Sequence, residues 1–369
     1  MSLDTVSTVQ SAGPLLVSPE TSPGGGAVLF VADVSAARIL AFELPPEDPT
    51  TASEVRVDRL GAKLASLLGV ERDDVLIRGI ATHPVSRAVY LSVARGRGRQ
   101  AGAVVVRVSA AGEVSIVELD ELPVTSFELD DAPASDDDRQ DALLDGSDEA
   151  SEPMEFNGVK LDIARVPLAR STVTDLAWIG GELVVAGMSN EEFSSRLRRI
   201  RYPFDGSAEA TSVEIFHVDH GRYETESPIR SLTSFGGGSG ILATYTCTPV
   251  VYFALDDLDG KGLVRGRTVA ELGPMNQPFS IVSYDRDGEE FLLVSNTRHP
   301  LLKIPAAPIA GQSHLDVPIA DPGASRGVPR ENLDHPGVTY MAALDRGHIV
   351  VIQDEDGDVN LRTLAAEAL

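Results

Sequence analysis

Several residues in this chain have types and spacings that can do chemistry. Cys247, the single cysteine, sits in Tyr-Thr-Cys-Thr-Pro at the end of an apolar run. A cysteine nucleophile needs a nearby base and a lowered pKa. The pair His217-x-x-His220 lies 30 and 27 residues upstream and offers two metal ligands without a third in sequence. On spacing alone, a half-buried strand cysteine is the plainer reading. Asp354-x-Asp356-x-Asp358-x-Asn360 alternates oxygen ligands as a calcium loop does. An EF-hand, however, needs Gly at its sixth position and Glu at its twelfth. Val359 and Ala365 stand there, so a hairpin turn is expected, and Asp256–Asp259 reads the same way. The string Arg95-Gly-Arg-Gly-Arg99 is a basic knob suited to an anion or to the chain's own acidic stretch. Gly24–Gly26 and Gly236–Gly238 lead into no helix and make no phosphate loop, and no serine lies in a Gly-x-Ser-x-Gly elbow.

The elements that would position such residues are short strands. Apolar runs recur at Ala27–Ala32, Ala88–Val93, Glu182–Ala186, Gly240–Tyr245, Phe291–Ser295 and His348–Ile352, with start-to-start intervals of 61, 94, 58, 51 and 57 residues. Each is bounded by turn residues. Weaker strands precede several of them across tight turns, at Ile77–Thr82, Thr174–Ile179, Phe279–Tyr284 and Gly337–Leu344. Third strands follow, and fourth strands are expected at Glu54–Asp58, Glu113–Leu119, Ser212–Val218, Arg267–Leu272 and His314–Ile319. The fold class is therefore all-β: a β-propeller of about six four-stranded blades, or seven if the stretch around Gly158–Leu168 makes a further sheet. Asp4–Val9 is expected to supply the last blade's missing strand. Arg59–Leu68 has helical spacing and is expected on a rim between the first two blades.

The chain of 369 residues reads as one propeller domain with an inserted acidic mobile loop at 130–152. Its formal charge is −25, and its sequence carries 56 acidic against 31 basic residues. Fifteen of those acids and one arginine fall between Glu118 and Glu155, which explains the interrupted interval of 94. The loop is expected to be dispensable for folding, because it lies outside the repeat. An acidic surface disfavours nucleic acid and anionic lipid. No apolar run is long enough for a membrane span and the N-terminus lacks a signal-peptide pattern, so a cytoplasmic setting is expected; a mature exported chain would look alike.

Propeller ligands sit at the channel mouth, on loops entering the innermost strands. Those positions carry Arg78, Asp175, Arg230, Asn276, Gln277 and His335, and the loops leaving the second strands carry Asn190 and Asn296. Asn190 opens a polar turn with Glu191 and Glu192. The four-stranded units, with Ile80–Val85 followed by Ala88–Ser92, resemble six-bladed propellers of the NHL-repeat and SMP-30/gluconolactonase-like type, and longer stretches resemble uncharacterised bacterial propeller proteins. The lactonase-like resemblance implies a divalent ion such as Ca²⁺ in the channel, held by a Glu, Asn and Asp set. Asp175 and Asn276, with Asn296 as a further candidate, match that set; no glutamate does. The expected function is a binding or scaffold propeller engaging a small molecule or a partner protein at the channel mouth. The alternative is a metal-dependent hydrolase or lactonase.

Overall fold

In the computed structural model the described residues are 9–20, 26–98, 101–144, 151–156, 159–247, 249–273, 275–318 and 325–369. Among them, six antiparallel sheets carry the architecture. Sheet I joins Leu15–Val17, Val28–Asp33, Arg38–Glu43 and Val124–Glu128, and sheet II joins Val75–Thr82, Val89–Arg95, Gly102–Val108 and Val114–Ile116. Sheet III is built on Asp175–Ile179, Glu182–Met188, Ser195–Ile200 and Ala208–His217, and sheet IV on Ile229–Phe235, Gly240–Tyr245, Pro249–Ala254 and Arg267–Glu271. Sheet V contains Pro278–Arg286, Glu289–Asn296, Leu302–Pro305 and Glu331–Asn332; sheet VI contains Val338–Asp345, His348–Glu355 and Asp358–Ala365.

The first strand of each sheet faces the axis, and these strands touch in a closed cycle, I–II–VI–V–IV–III and back to I. This is a β-propeller. The apolar cores follow the cycle, each lying between two neighbouring sheets. Leu91 and Val106 of sheet II meet Val350 and Leu361 of sheet VI. Val184 and Val213 of sheet III meet Ile241 and Phe253 of sheet IV, while Phe30 and Ile39 of sheet I meet Leu183 and Val185 of sheet III. Each such side chain, when fully buried, contributes roughly 1.5–3 kcal/mol. The second strand of each sheet reads as a continuous apolar run because it is covered on both faces.

The sheets are not arranged around the axis in chain order. Sheet II lies between I and VI. After sheet I the chain crosses to sheet VI, where Val57 forms an antiparallel bridge with Leu361. The Val55 amide also donates to Thr363 Oγ1 at 2.9 Å. The stretch Glu54–Asp58, expected as the outer strand of the first blade, therefore edges the last one. Sheet I is completed instead by Val124–Glu128, which pairs with Arg38–Glu43 after the chain has built sheet II. The outer strand of sheet V is Glu331–Asn332 rather than a strand at 314–319. The expected closing strand at 4–9 lies, but for Val9, outside the described residues. The predicted helix is present at Leu60–Leu68, with Leu60, Leu64 and Leu68 buried. It packs into the core between sheets II and VI, not on a rim between the first two sheets as expected, because the chain has crossed to sheet VI before the helix begins.

Part of the acidic segment is strand. Gln140–Leu144 pairs with Val159–Pro167, which pairs in turn with Ser151–Phe156. The stretch around Gly158–Leu168 thus makes a further sheet, but this three-stranded cap is not one of the six in the cycle. The turn at Asp354–Gly357 is a hairpin, with Asp354 Oδ1 accepting from the Gly357 amide at 2.7 Å.

Candidate functional site

Four of the innermost strands carry a β-bulge near their entry to the channel. Pairing slips between Ile77 and Gly79, between Ile229 and Ser231, between Pro278 and Ser280, and between Val338 and Met341. A bulge leaves one residue unpaired and turns its side chain away from the pleat. The residues released here include Arg78, Arg230, Phe279 and Tyr340, and all four line one axial cavity of about 250 Å³. Phe279 and Tyr340 stand with ring centroids 6.5 Å apart. Gln277, Arg170 and Thr174 complete the polar wall.

Two elements cover this cavity. One is the segment Gln10–Pro14, held because the Gln10 and Ser11 amides both donate to Asp33 at 3.0 Å. Asp33 is itself buried and paired with Arg38. The other is the cap sheet, which contributes Leu143 and Val166. Its anchor is Asp141, which receives both guanidinium nitrogens of Arg230 at 2.7 and 2.8 Å. Side-chain exposure is 7% for Arg230 and 4% for Asp141. The Ala142 carbonyl accepts from Arg230 at 3.0 Å, the Arg230 Nε donates to Thr246 Oγ1 at 2.9 Å, and the Leu144 amide donates to Gln277 Oε1 at 2.9 Å. Upstream, Asp131 holds Arg198, a buried arginine that also donates to the carbonyls of Thr172 and Met188. The acidic segment is therefore partly folded inward, with two of its carboxylates as counter-ions of buried arginines.

Arg78, Arg230 and Gln277 meet in the cavity wall. Asp175 has a different task. Its carboxylate accepts from Ser231 Oγ at 2.7 Å, the Leu232 amide at 2.8 Å and the Leu176 amide at 2.9 Å. This clamps sheet III to sheet IV, and Ser231 Oγ continues the chain by accepting from the Ile281 amide of sheet V. Burial pushes the Asp175 carboxyl up to about 6, against those three donors. Asn276 is fully buried, its carbonyl accepting from the Cys247 amide at 2.6 Å. Asn296 Oδ1 accepts from the amides of Arg298 and His299, and the Nδ2 groups of Asn276 and Asn296 lack partners among the described residues. Asn190 is exposed and its amide donates to the Asp131 carbonyl, while His335 lies half-buried in the loop before sheet VI. The basic knob turns to its own neighbourhood, with Arg97 donating to the Asp73 carbonyl.

A second cluster lies away from the axis, where sheets III and IV meet. The strand ending at His217 turns back through Gly221 into Arg222–Glu224, so Glu224 returns beside both histidines. His217 Nδ1 and His220 Nδ1 lie 2.9 and 2.6 Å from its two oxygens. From sheet IV, Cys247 enters on a turn where its φ is 61°, a left-handed conformation uncommon for a residue with a Cβ. Burial works against ionisation of the thiol, but hydrogen bonds with His217 and His220 bring it down to about 6. Spacing alone did not show Glu224, which pairs with both histidines, or Glu271, whose buried carboxyl interacts with His217 and Cys247. The i,i+4 step from His220 to Glu224 was the available signal for the first.

No family model matches the sequence, and no curated protein matches it. Among solved structures, the chain is similar to a chain of a mitotic checkpoint complex (11% identity, 98% of this chain and 90% of that one, TM-score 0.39). It is also similar to the PQQ-bound aldose sugar dehydrogenase of Streptomyces coelicolor (12% identity, 98% and 97%, TM-score 0.33). A third is a candidate 6-phosphogluconolactonase of Bacteroides uniformis (9% identity, 93% and 75%, TM-score 0.32).

Proposed function

We propose that this propeller binds a small anionic molecule in the axial cavity beneath the cap sheet. The observation that carries the reading is the coincidence of four bulges with one cavity. Bulges interrupt the ladder and are found beside functional sites, and here they aim two arginines and two aromatic rings at the same space. Among the described residues the lining contains Arg78, Arg170 and Arg230 and no aspartate or glutamate; Arg230 is already paired with Asp141, so Arg78 and Arg170 carry the cationic character of the wall, in a chain with 56 acidic residues. Inside a strongly acidic protein, such a wall favours a negatively charged guest. The aromatic faces suit a flat or ring-bearing one. A volume of about 250 Å³ restricts the guest to metabolite size.

The test is calorimetric titration with a panel of di- and tricarboxylates, sugar phosphates and mononucleotides, at constant ionic strength. One class is expected to bind, and Arg78→Gln is expected to weaken it at least tenfold. Phe279→Ala should weaken ring-bearing members of the panel selectively. A panel without a binder, or a binder indifferent to both substitutions, refutes the reading.

A further inference from the structure

We propose that His217, His220 and Cys247 form a binding site for a zinc-class divalent ion that ties sheet III to sheet IV. One ligand atom from each of the three lies within 4.8 Å of the other two; a tetrahedral ion with bonds of about 2.0–2.3 Å holds its ligands roughly 3.3–3.8 Å apart, so a small inward adjustment of the side chains closes the set on an ion. The imidazoles are almost in contact, with ring centroids 3.9 Å apart. The shared Glu224 carboxylate brings the two rings together on one side, and a cation would join them on the other.

Glu224 fixes how the rings are used. It engages Nδ1 of both, which leaves each Nε2 as the outward donor. A carboxylate on the far nitrogen is the usual second partner of a metal-bound imidazole. Ser227 Oγ bonds the same carboxylate and holds it in place. His217 Nε2 is buried and makes no hydrogen bond of normal geometry among the described residues.

Glu271 gives an independent sign of a missing positive charge. It is fully buried in sheet IV, close enough to interact electrostatically with His217 and Cys247. Neither of its oxygens makes a hydrogen bond of normal geometry among the described residues, although the Gly273 amide approaches. A buried carboxylate with so little compensation is costly, and a doubly charged ion next to it removes the cost. The mixed nitrogen and sulfur donors select zinc or a similar transition ion over Ca²⁺ or Mg²⁺, which take oxygen. Three protein ligands leave a fourth position for water or another donor. The strained turn at Cys247 then has a purpose, since it brings the thiolate from one sheet to the histidines of the next.

The experiment uses the full chain. Zinc content is measured by elemental analysis after dialysis, affinity by competition with a chromogenic chelator, and geometry by absorption of the cobalt-substituted protein. One zinc per chain is expected. The cobalt form should show a thiolate-to-metal charge-transfer band, absent from Cys247→Ser. Glu224→Gln should bind zinc about 10- to 100-fold more weakly. A folded wild-type chain that takes up no stoichiometric zinc overturns the proposal. So does a cobalt form without the thiolate band, or a Glu224→Gln protein that binds as tightly as wild type. Those three readings stand even where Cys247→Ser fails to fold.

Discussion

Removing Asp141 should unlatch the cap from the propeller. Asp141→Ala leaves the Arg230 guanidinium, whose side chain is 7% exposed, without its carboxylate. Breaking a buried pair by deleting one partner costs about 3–5 kcal/mol, because the remaining charge is stranded. Arg230 keeps Thr246 Oγ1 and the Ala142 carbonyl, which places the loss toward the lower end. Against a total stability of about 5–15 kcal/mol, that is a large fraction. Arg230→Met strands the other charge, so it should cost a similar amount. The double variant removes both charges and should lose less than the sum, by roughly 1–3 kcal/mol of coupling. Urea denaturation followed through the single tryptophan, Trp178, measures all four proteins, and limited proteolysis reports whether the cap is released before the ring unfolds. A loss below about 1 kcal/mol for Asp141→Ala, with additive single effects, would mean that the pair is solvated and the cap is not docked. Deletion of residues 130–152 makes the same point more severely. It removes the counter-ions of both Arg198 and Arg230, so the ring is expected to lose its stable fold, contrary to what a dispensable acidic loop would give.

Asp175 provides a pH-dependent prediction. Its folded-state pKa is raised to about 6 from an ordinary value of 3.8, so the native state holds the proton more tightly than the unfolded chain does. The stability this group contributes is full below about pH 4 and is lost as pH rises to about 6, by an amount on the order of 2–3 kcal/mol. Asp175→Asn should flatten the denaturation midpoint across that window, and an unchanged slope would show that the carboxyl is not buried against sheet IV. Gly187→Ala should strongly lower the melting temperature, because an added Cβ would stand 1.9 Å from the Thr172 carbonyl oxygen; retention of the wild-type midpoint would argue against that close approach.

The first two strands of each sheet were legible because their signals are local. A run such as Gly240–Tyr245 is apolar at nearly every position, and turns such as Gly180-Gly181 mark its neighbours without reference to anything distant. The outer strands carry no such signal. Val55–Val57 is flanked by charge, and the strand it meets lies about three hundred residues further on, as the Val55–Thr363 hydrogen bond shows. Short polar edge strands are normal, and periodicity cannot say which sheet receives them. The order of sheets around the ring was hidden for the same reason, since Glu54–Asp58 had the right spacing for the sheet just built and joins another. In the site, Arg78, Arg230 and Gln277 could be placed at the mouth by counting strands, but the bulges that aim the side chains depend on slips in pairing.

The acidic stretch shows where composition misleads. Clustered carboxylates read as solvated because an isolated buried charge is prohibitive, and that inference holds only while no partner is in view. Arg230 stands at the entry of an inner strand and Arg198 in a strand of mixed polarity, Ser195–Ile200, and only the folded ring shows that both are buried. An arginine in a covered strand demands an acid from elsewhere, and in this chain the densest supply lies in the segment from 118 to 155. The same logic runs through the second cluster, where His217, His220 in the turn that follows it and Cys247 in a turn of sheet IV come together beside Glu224. In both places the polar groups are joined between sheets rather than within one. The ring itself provides such junctions, because a propeller buries apolar faces between blades and leaves the ends of its strands as the places where distant polar residues converge.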